Sequence, residues 1–367
     1  MNTSASLVIA DKPGEADAVL RAGSPGDEIA ALVLAPALAA RIALREGKLS
    51  EARRQARAAL EAVRAFGLDT HPGAVDANLA LAGVLIDRNE LADVTATFRL
   101  LDEIIQTNPF TRVYQVLVRL EKARVAAALD DFDEVFATVR EAGKLIEHGP
   151  RSALRCIVDA VAARWHLEAG QIHQAEELIA TLPDGSPAHT LLQARLDMAC
   201  GRFDAVRARL GQASPATMRD QLAGELLLAR AAIESGEDAG GHVAMAVELA
   251  VPEHLVRVFL EEGAALARLA RAAAESLGTE SGTSLSVALG SPPRRSPGTP
   301  RQPAAILTER ELSVLRFLPS RLTNAEIASE CFMSVNTVKA HLKSVYAKLG
   351  VSSRASAVER ARLLGLL

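Results

Sequence analysis

Residues 322–351 read LTNAEIASECFMSVNTVKAHLKSVYAKLGV, and helix start signals are dense in this stretch. Thr323 and Glu326 have the spacing of a capping box, in which each side chain accepts a hydrogen bond from the other residue's backbone N–H. Ser334 is a second N-cap residue, so another helix is predicted to begin near it. Only residues 331–333 separate the two helices, and this predicts a sharp helix-turn-helix.

The flanking residues extend this pattern to a domain at 306–367 with four helices. Upstream, Thr308 and Glu311 have the spacing of another capping box, which predicts a helix start near 308. Downstream, Gly350 is predicted to end the helix that begins at Ser334. A fourth helix is then predicted to begin at Ser352 or Ser353.

The helix after Ser334 has two chemically different faces. Apolar side chains recur at steps of four, three and four residues, as expected for a face packed on a core: Val338, Leu342, Val345 and Leu349. Lys339 and Lys343 lie one turn apart on another face. A helix that is cationic on its free side suits the major groove of DNA, whereas the alternative is a small helical bundle whose lysines are merely solvated.

The segment resembles the LuxR-type helix-turn-helix domain. The resemblance lies in the order LT-x-RE, EIA, S-x-x-TVK-x-H, KLGV, R and AV over some sixty residues. The chain departs from the pattern at 320–321, where the family usually has a glycine.

The LuxR resemblance implies roles for individual residues. It implies that Lys339, Ala340 and Lys343 face the bases of double-stranded DNA. It implies phosphate or positioning contacts for Thr323, Asn324, Asn336, Thr337, His341 and Arg354. It also implies a homodimer formed through the last helix, around Val358 and Ala361, on a palindromic promoter site, with RNA polymerase as a further partner.

Charge is distributed unevenly along the chain. The net charge is −4, but residues 307–367 carry +4 and residues 278–306 carry +2, which leaves −10 for residues 1–277. A basic end on an acidic body is typical of a protein that contacts nucleic acid at one end. The three cysteines are unclustered, and residues 1–15 lack the features of a signal peptide, so a soluble, cytoplasmic protein without a membrane partner is predicted.

The remaining sequence predicts helix throughout and contains an irregular repeat at 29–277. Each unit has a turn residue, an apolar residue two positions later and a small or β-branched residue three beyond that. The turn residues are Gly47, Asn89, Asp130, Gly170 and Gly201, with a degenerate sixth unit at Gly236. The array resembles tetratricopeptide (TPR) repeats, in which each helical hairpin buries its face on the next, and an ordinary globular helical bundle is the alternative.

Two segments are predicted to lie outside the repeats. Residues 1–28 form a lead-in, and residues 278–305 form a flexible linker because they are rich in Ser, Gly, Thr and Pro. The predicted fold class is therefore all-α: a TPR-like array, a flexible linker and a four-helix DNA-binding domain.

Motifs of catalysis, cofactor binding and metal binding were not found. The strings EGKLSE at 46–51 and AGKLIE at 142–147 lack the spacing of a phosphate-binding loop, and no HExxH, GxSxG or GxGxxG occurs. We therefore expect a protein that is not an enzyme and has no cofactor or metal.

The order of array and DNA-binding domain resembles the C-terminal half of the MalT-like, large ATP-binding regulators. That resemblance implies an array that receives a small-molecule inducer or a partner protein. The ATPase half is absent, so the chain is expected to be either a natural short form or a product of an internal or misassigned start.

Two other classes were considered for the function. In an adaptor, the array would bind a protein through a groove lined by Tyr114, Arg119, Arg155, Arg164 and Trp165, although Trp165 is favoured as a core residue. A two-component response regulator is disfavoured, because the sequence before the DNA-binding domain lacks alternating strand and helix patterns.

Overall fold

The computed structural model describes residues 29–107, 112–146, 153–290, 309–320, 322–331 and 333–349, together with 354, 357, 358 and 361. These residues form two compact units. One contains the described residues before 166 together with 175–290, and the other contains those from 309 onward with the short stretch 166–174. The described residues contain helices and no strand, which confirms the all-α prediction.

The first twelve α-helices follow a short π-helical turn, Ala30–Leu34. In chain order they are α1 (Ala35–Glu46), α2 (Leu49–Phe66), α3 (Pro72–Asp87), α4 (Leu91–Thr107), α5 (Arg112–Ala128), α6 (Phe132–Lys144), α7 (Ala153–Glu168), α8 (Ile172–Ile179), α9 (Pro187–Ala199), α10 (Phe203–Gln212), α11 (Met218–Ser235) and α12 (Gly240–Ala250). Together with α13–α15 below, they are called the helical array.

All six predicted turn residues have a positive φ, between 60° at Asn89 and Asp130 and 89° at Gly47. A left-handed residue is a common way to end a helix, because its backbone N–H can then bond to the helix's last carbonyls. The apolar residue two positions later begins the next helix in the first five units, as Leu49 begins α2. The residue three beyond that is at most 1% exposed in these units, as at Ala52 and Val94. The turn pattern therefore places the six turns and the next five helix starts correctly, whereas the TPR-like arrangement stays a prediction.

Apolar packing joins the beginning of the helical array to its end. Leu49 and Val84, from the first two hairpins, share one core with Leu226 of α11 and with Phe259. A second core consists mainly of residues from α3–α7 and includes Trp165, which is 6% exposed and meets Phe132 edge-on at 6.3 Å between ring centroids. Trp165 is therefore a core residue.

The predicted boundary of the array at residue 277 is wrong. After a 3-10 turn, Val251–Glu253, the chain forms α13 (Arg257–Glu261), α14 (Ala264–Ser276) and α15 (Glu280–Gly290). Leu285 of α15 is fully buried, and the Ser286 hydroxyl donates to Glu275 Oε1 of α14 at 2.7 Å. Ser- and Gly-rich composition therefore hid a packed helix at 280–290, whereas the rest of the predicted linker and the lead-in at 1–28 lie outside the described residues.

The second unit contains α16 (Glu309–Phe317), α17 (Asn324–Glu330) and α18 (Val335–Leu349). These helices begin within a residue or two of the predicted positions 308, 323 and 334. Residues 309 onward are called the C-terminal domain, and their core includes Val314, Leu315, Ile327 and Val345, none of which exposes any surface.

Candidate nucleic-acid interface

The start of α17 is fixed by a reciprocal cap. The Glu326 N–H donates to Thr323 Oγ1 at 3.3 Å, and the Thr323 N–H donates to Glu326 Oε2 at 2.7 Å. The backbone hydrogen bond from Thr323, followed by the one from its hydroxyl, lowers the pKa of the Glu326 carboxyl. This is the capping box predicted from the sequence.

The turn between α17 and α18 is equally tight. The Met333 N–H donates to the carbonyl of Ala328 at 2.8 Å, which closes the end of α17. Ser334 then caps α18, since its Oγ accepts from the Thr337 N–H at 3.0 Å. Local hydrogen bonds thus hold the ends of the two helices, which only residues 331–334 separate, as a helix-turn-helix requires.

The two predicted faces of α18 are present. Val338 and Val345 expose no surface and Leu342 exposes 6%, so this side of the helix packs on the domain core. Lys339, Ala340 and Lys343 are all exposed. Because residues four apart on a helix are neighbours, the two lysines form one cationic patch with the small Ala340 beside them.

A polar contact that sequence reasoning missed holds α18 against α16. Glu311 is 4% exposed, and its Oε1 accepts from the Ser344 hydroxyl at 2.6 Å. The sequence suggested only a capping role for Glu311. The sequence signal for this hydrogen bond was Ser344, a hydroxyl-bearing residue on the side of α18 that faces α16.

The predicted phosphate contacts lie mainly near helix starts. Thr323 and Asn324 are at the beginning of α17, and Asn336 and Thr337 are at the beginning of α18. Backbone N–H groups there favour anionic oxygens. Thr337 and His341 are half-buried, while the side chain of Asn336 lies outside the described part of the chain.

Arg354 has a different environment from these residues. Its guanidinium donates to four backbone carbonyls, those of Phe317, Leu318, Ser320 and Leu322, at 2.8–3.2 Å. These carbonyls lie at the end of α16 and in the loop before α17. Of the two roles left open by the sequence, phosphate contact or positioning, this geometry supports positioning within the domain.

The predicted dimer residues differ in their accessibility. Val358 is half-buried, but Ala361 exposes no surface and packs with Ala357 in the core of the C-terminal domain. Ala357 and Ala361 are four residues apart, and both lie in that core. The assignment of Val358 and Ala361 to a dimer interface stays a prediction.

Within the described residues, no group of three or more His, Cys, Asp or Glu side chains is arranged to hold a metal ion. No described helix is both long and apolar enough to cross a membrane.

Comparison with known proteins gives matches to the C-terminal residues. The family model for bacterial regulatory proteins, luxR family, matches residues 305–361. The HTH-type transcriptional regulator AlkS of Alcanivorax borkumensis is 43% identical over 61 residues, which are 17% of this chain and 7% of that protein. The Fimbriae Z protein of Escherichia coli K12 is 40% identical over 62 residues, 17% of this chain and 30% of that protein.

The nitrate/nitrite response regulator protein NarP of Escherichia coli K12 is 45% identical over 60 residues, 16% of this chain and 28% of that protein. The chain thus spans less than a third of the length of each of these relatives. The residues that the family model matches contain the helix-turn-helix and the exposed lysines of α18. The C-terminal domain of this chain belongs to the luxR family of bacterial regulatory proteins.

Proposed function

We propose that the chain is a DNA-binding transcriptional regulator whose C-terminal domain places α18 in the major groove. The observation that carries this is the exposed patch of Lys339, Ala340 and Lys343, which lies on a helix whose other side is fixed in the domain core. A rigid helix with short and cationic side chains on its free face can approach base edges closely.

The residues of the patch have distinct tasks in this proposal. Lys339 and Lys343 donate to guanine O6 and N7 or to phosphate oxygens, whereas Ala340 leaves room for a thymine methyl group. Thr323, Asn324, Asn336 and Thr337 contact phosphates at the two helix starts. Arg354 acts indirectly, by holding the loop between α16 and α17.

The helical array has a receiving role in the proposal. Its hairpins act as a TPR-like surface for a small inducer or a partner protein, and binding there controls the C-terminal domain. The regulator binds a palindromic promoter site as a homodimer and acts on RNA polymerase in the cytoplasm. The hairpin turns support the TPR-like assignment, and the luxR match supports the DNA partner.

The experiment is a DNA-binding titration of the whole chain at several salt concentrations, on a site selected from random DNA and on a scrambled site. Lys343→Ala is expected to weaken binding to the selected site by about 1–3 kcal/mol if Lys343 reads a base. An equal loss on both sites, with a salt slope smaller by about 1, would make it a phosphate contact.

The matched control is Lys144→Ala, which removes the same charge from an exposed position in the helical array. It is expected to leave both affinities unchanged. If the wild-type chain shows no preference for any selected site over the scrambled one, the proposal of sequence-specific regulation fails.

A further inference from the structure

Arginine recurs at one position of the helical array, six residues before the turn residue of a hairpin. Aligning the six hairpins on their turn residues places these arginines in register: Arg41, Arg124, Arg164, Arg195 and Arg230. The second hairpin has Gly83 there, because a Cβ would lie 2.4 Å from Leu44 Cδ2. We call Arg124, Arg164, Arg195 and Arg230 the arginine ladder.

The arginine ladder faces a segment that belongs to none of the hairpins, residues 255–262, which we call the strap. Leu255, Val256 and Phe259 of the strap expose no surface and pack in the core shared by the first and last hairpins. The Val256 N–H donates to the carbonyl of Asp87 at 2.9 Å. The strap is therefore held as a bound peptide would be, by buried apolar anchors and a backbone hydrogen bond.

Two adjacent glutamates at the end of the strap reach into the ladder. Glu261 Oε2 accepts from Arg164 Nη2 at 2.5 Å. Glu262 Oε2 accepts from Arg195 Nη1 at 3.2 Å and from Arg230 Nη1 at 3.3 Å, and Glu262 Oε1 is also paired with Arg195. Three successive odd-numbered helices, α7, α9 and α11, thus each present one guanidinium to this acidic pair.

The guanidiniums of the arginine ladder keep the Glu262 carboxyl ionised. Burial alone would raise the pKa of Glu262, but the guanidinium of Arg195, with further help from Arg164 and Arg230, lowers it to about 2. Removing Glu262 would take its paired carboxylate from Arg195, whose side chain is only 9% exposed, and this is strongly unfavourable unless another anion takes over. The ladder therefore needs an acidic occupant.

The strap begins and ends next to residues with a left-handed backbone. His254, before it, has a φ of 57°, and Gly263, after it, has a φ of 101°. The side chains of Arg164 and Arg230 are each 30% exposed, so the ladder can be approached from solvent while the strap is in place.

We propose that the arginine ladder is a docking surface for a peptide of a partner protein. This peptide has apolar anchor residues followed by two adjacent acidic residues. In the structure, the chain's own strap lies on this surface. A partner peptide of this kind replaces Glu261 and Glu262 at Arg164, Arg195 and Arg230. This proposal rests on the proposed function, because it names the class of partner that the helical array receives.

The test uses a fluorescently labelled synthetic peptide of residues 251–263, VPEHLVRVFLEEG, and a second peptide in which both glutamates are glutamine. Each is titrated into the full wild-type chain and into Glu261→Gln/Glu262→Gln, which weakens the strap. The apparent affinity of a site equals its intrinsic affinity multiplied by the fraction of molecules in which the site is free. The variant is therefore expected to bind the acidic peptide at least about tenfold more tightly than wild type. The glutamine peptide is expected to bind at least about tenfold more weakly.

The matched control is Glu234→Gln/Glu248→Gln, which removes two exposed carboxylates from α11 and α12 and is expected to behave as wild type. If the double strap variant does not fold, Glu261→Gln alone replaces it, since Glu261 is less buried than Glu262. Adding Arg164→Gln to the folded strap variant is expected to weaken its binding of the acidic peptide.

Three results would overturn the proposal: equal affinity of the two peptides for the folded variant, no saturable binding of the acidic peptide, or equally strong competition by the free dicarboxylate glutarate. The same samples are titrated with the selected and scrambled DNA sites. A DNA preference without peptide binding refutes only the docking surface, whereas peptide binding without a DNA preference refutes only the proposed regulation.

Discussion

Replacing Phe259 by alanine tests whether the strap is an integral part of the fold. Phe259 exposes no surface and is the largest fully buried side chain among the described residues. Returning its ring to water in the unfolded chain loses about 2–3 kcal/mol of burial, and the cavity adds to that, which gives about 3–5 kcal/mol in total. The lower end is expected, because α13 is only five residues long and can shift into the space.

The assay is urea unfolding followed by tryptophan fluorescence. Trp165 is the one tryptophan of the chain and lies in the core of the helical array, so its emission reports on the array and not on the C-terminal domain. The free energy of unfolding follows from the midpoint and slope of the transition. A loss of about 3 kcal/mol should leave the array folded but marginal.

The matched control is Phe66→Ala, because Phe66 is 40% exposed at the end of α2. Its cost is expected to be below about 1 kcal/mol. If Phe259→Ala lowers the free energy of unfolding no more than Phe66→Ala does, the strap is not packed in the core, and the argument for a bound segment fails with it.

Three further predictions concern the charged and capping residues. The pKa of Glu262 is lowered from its ordinary 4.5 to about 2, so the contribution of this carboxylate to array stability is complete above pH 4.5 and is lost as pH falls toward 2. Unfolding followed by Trp165 fluorescence should show this loss of stability, and Glu262→Gln should make the loss smaller. Arg354→Ala should weaken binding to the selected DNA site without changing how steeply the affinity falls with salt concentration, because the Arg354 guanidinium binds backbone carbonyls. A shallower salt dependence would mean that Arg354 contacts a phosphate. Thr323→Ala should destabilise the C-terminal domain by about 1 kcal/mol, seen as DNA binding lost at lower temperature, whereas Thr323→Ser should retain the cap; equal losses would refute the capping role.

The features that sequence predicted correctly are local ones. A capping box needs only Thr323 and Glu326, three residues apart, and a left-handed turn needs only a residue such as Gly47 or Asn89 that tolerates positive φ. The buried stripe of α18 follows from helical periodicity. Helix starts, hairpin turns and the free face of α18 were therefore accessible without a structure.

The features that sequence did not predict depend on distant partners. Asp87 pairs with Arg219, 132 residues later, and Glu262 pairs with Arg195, 67 residues earlier. No local pattern specifies such pairs. Composition misled at 280–290 because Leu285 is buried against α14, a contact that Ser- and Gly-rich composition does not reveal. The arginine ladder was present in the sequence, but only an alignment on the turn residues reveals it.

The strap also changes how the helical array should respond to binding. In an open repeat array each hairpin contacts only its neighbours, so stability is a sum of local terms. Here the strap joins the first hairpins to the last, since Ser50 N–H donates to Glu253 Oε2 at 2.7 Å just before the strap and Glu262 binds Arg230 at its end. Asp87 makes a second such connection by pairing with Arg124 and Arg219 together. Removing or replacing the strap therefore alters contacts at both ends of the array at once, so a partner that binds the arginine ladder acts on the array as one cooperative unit.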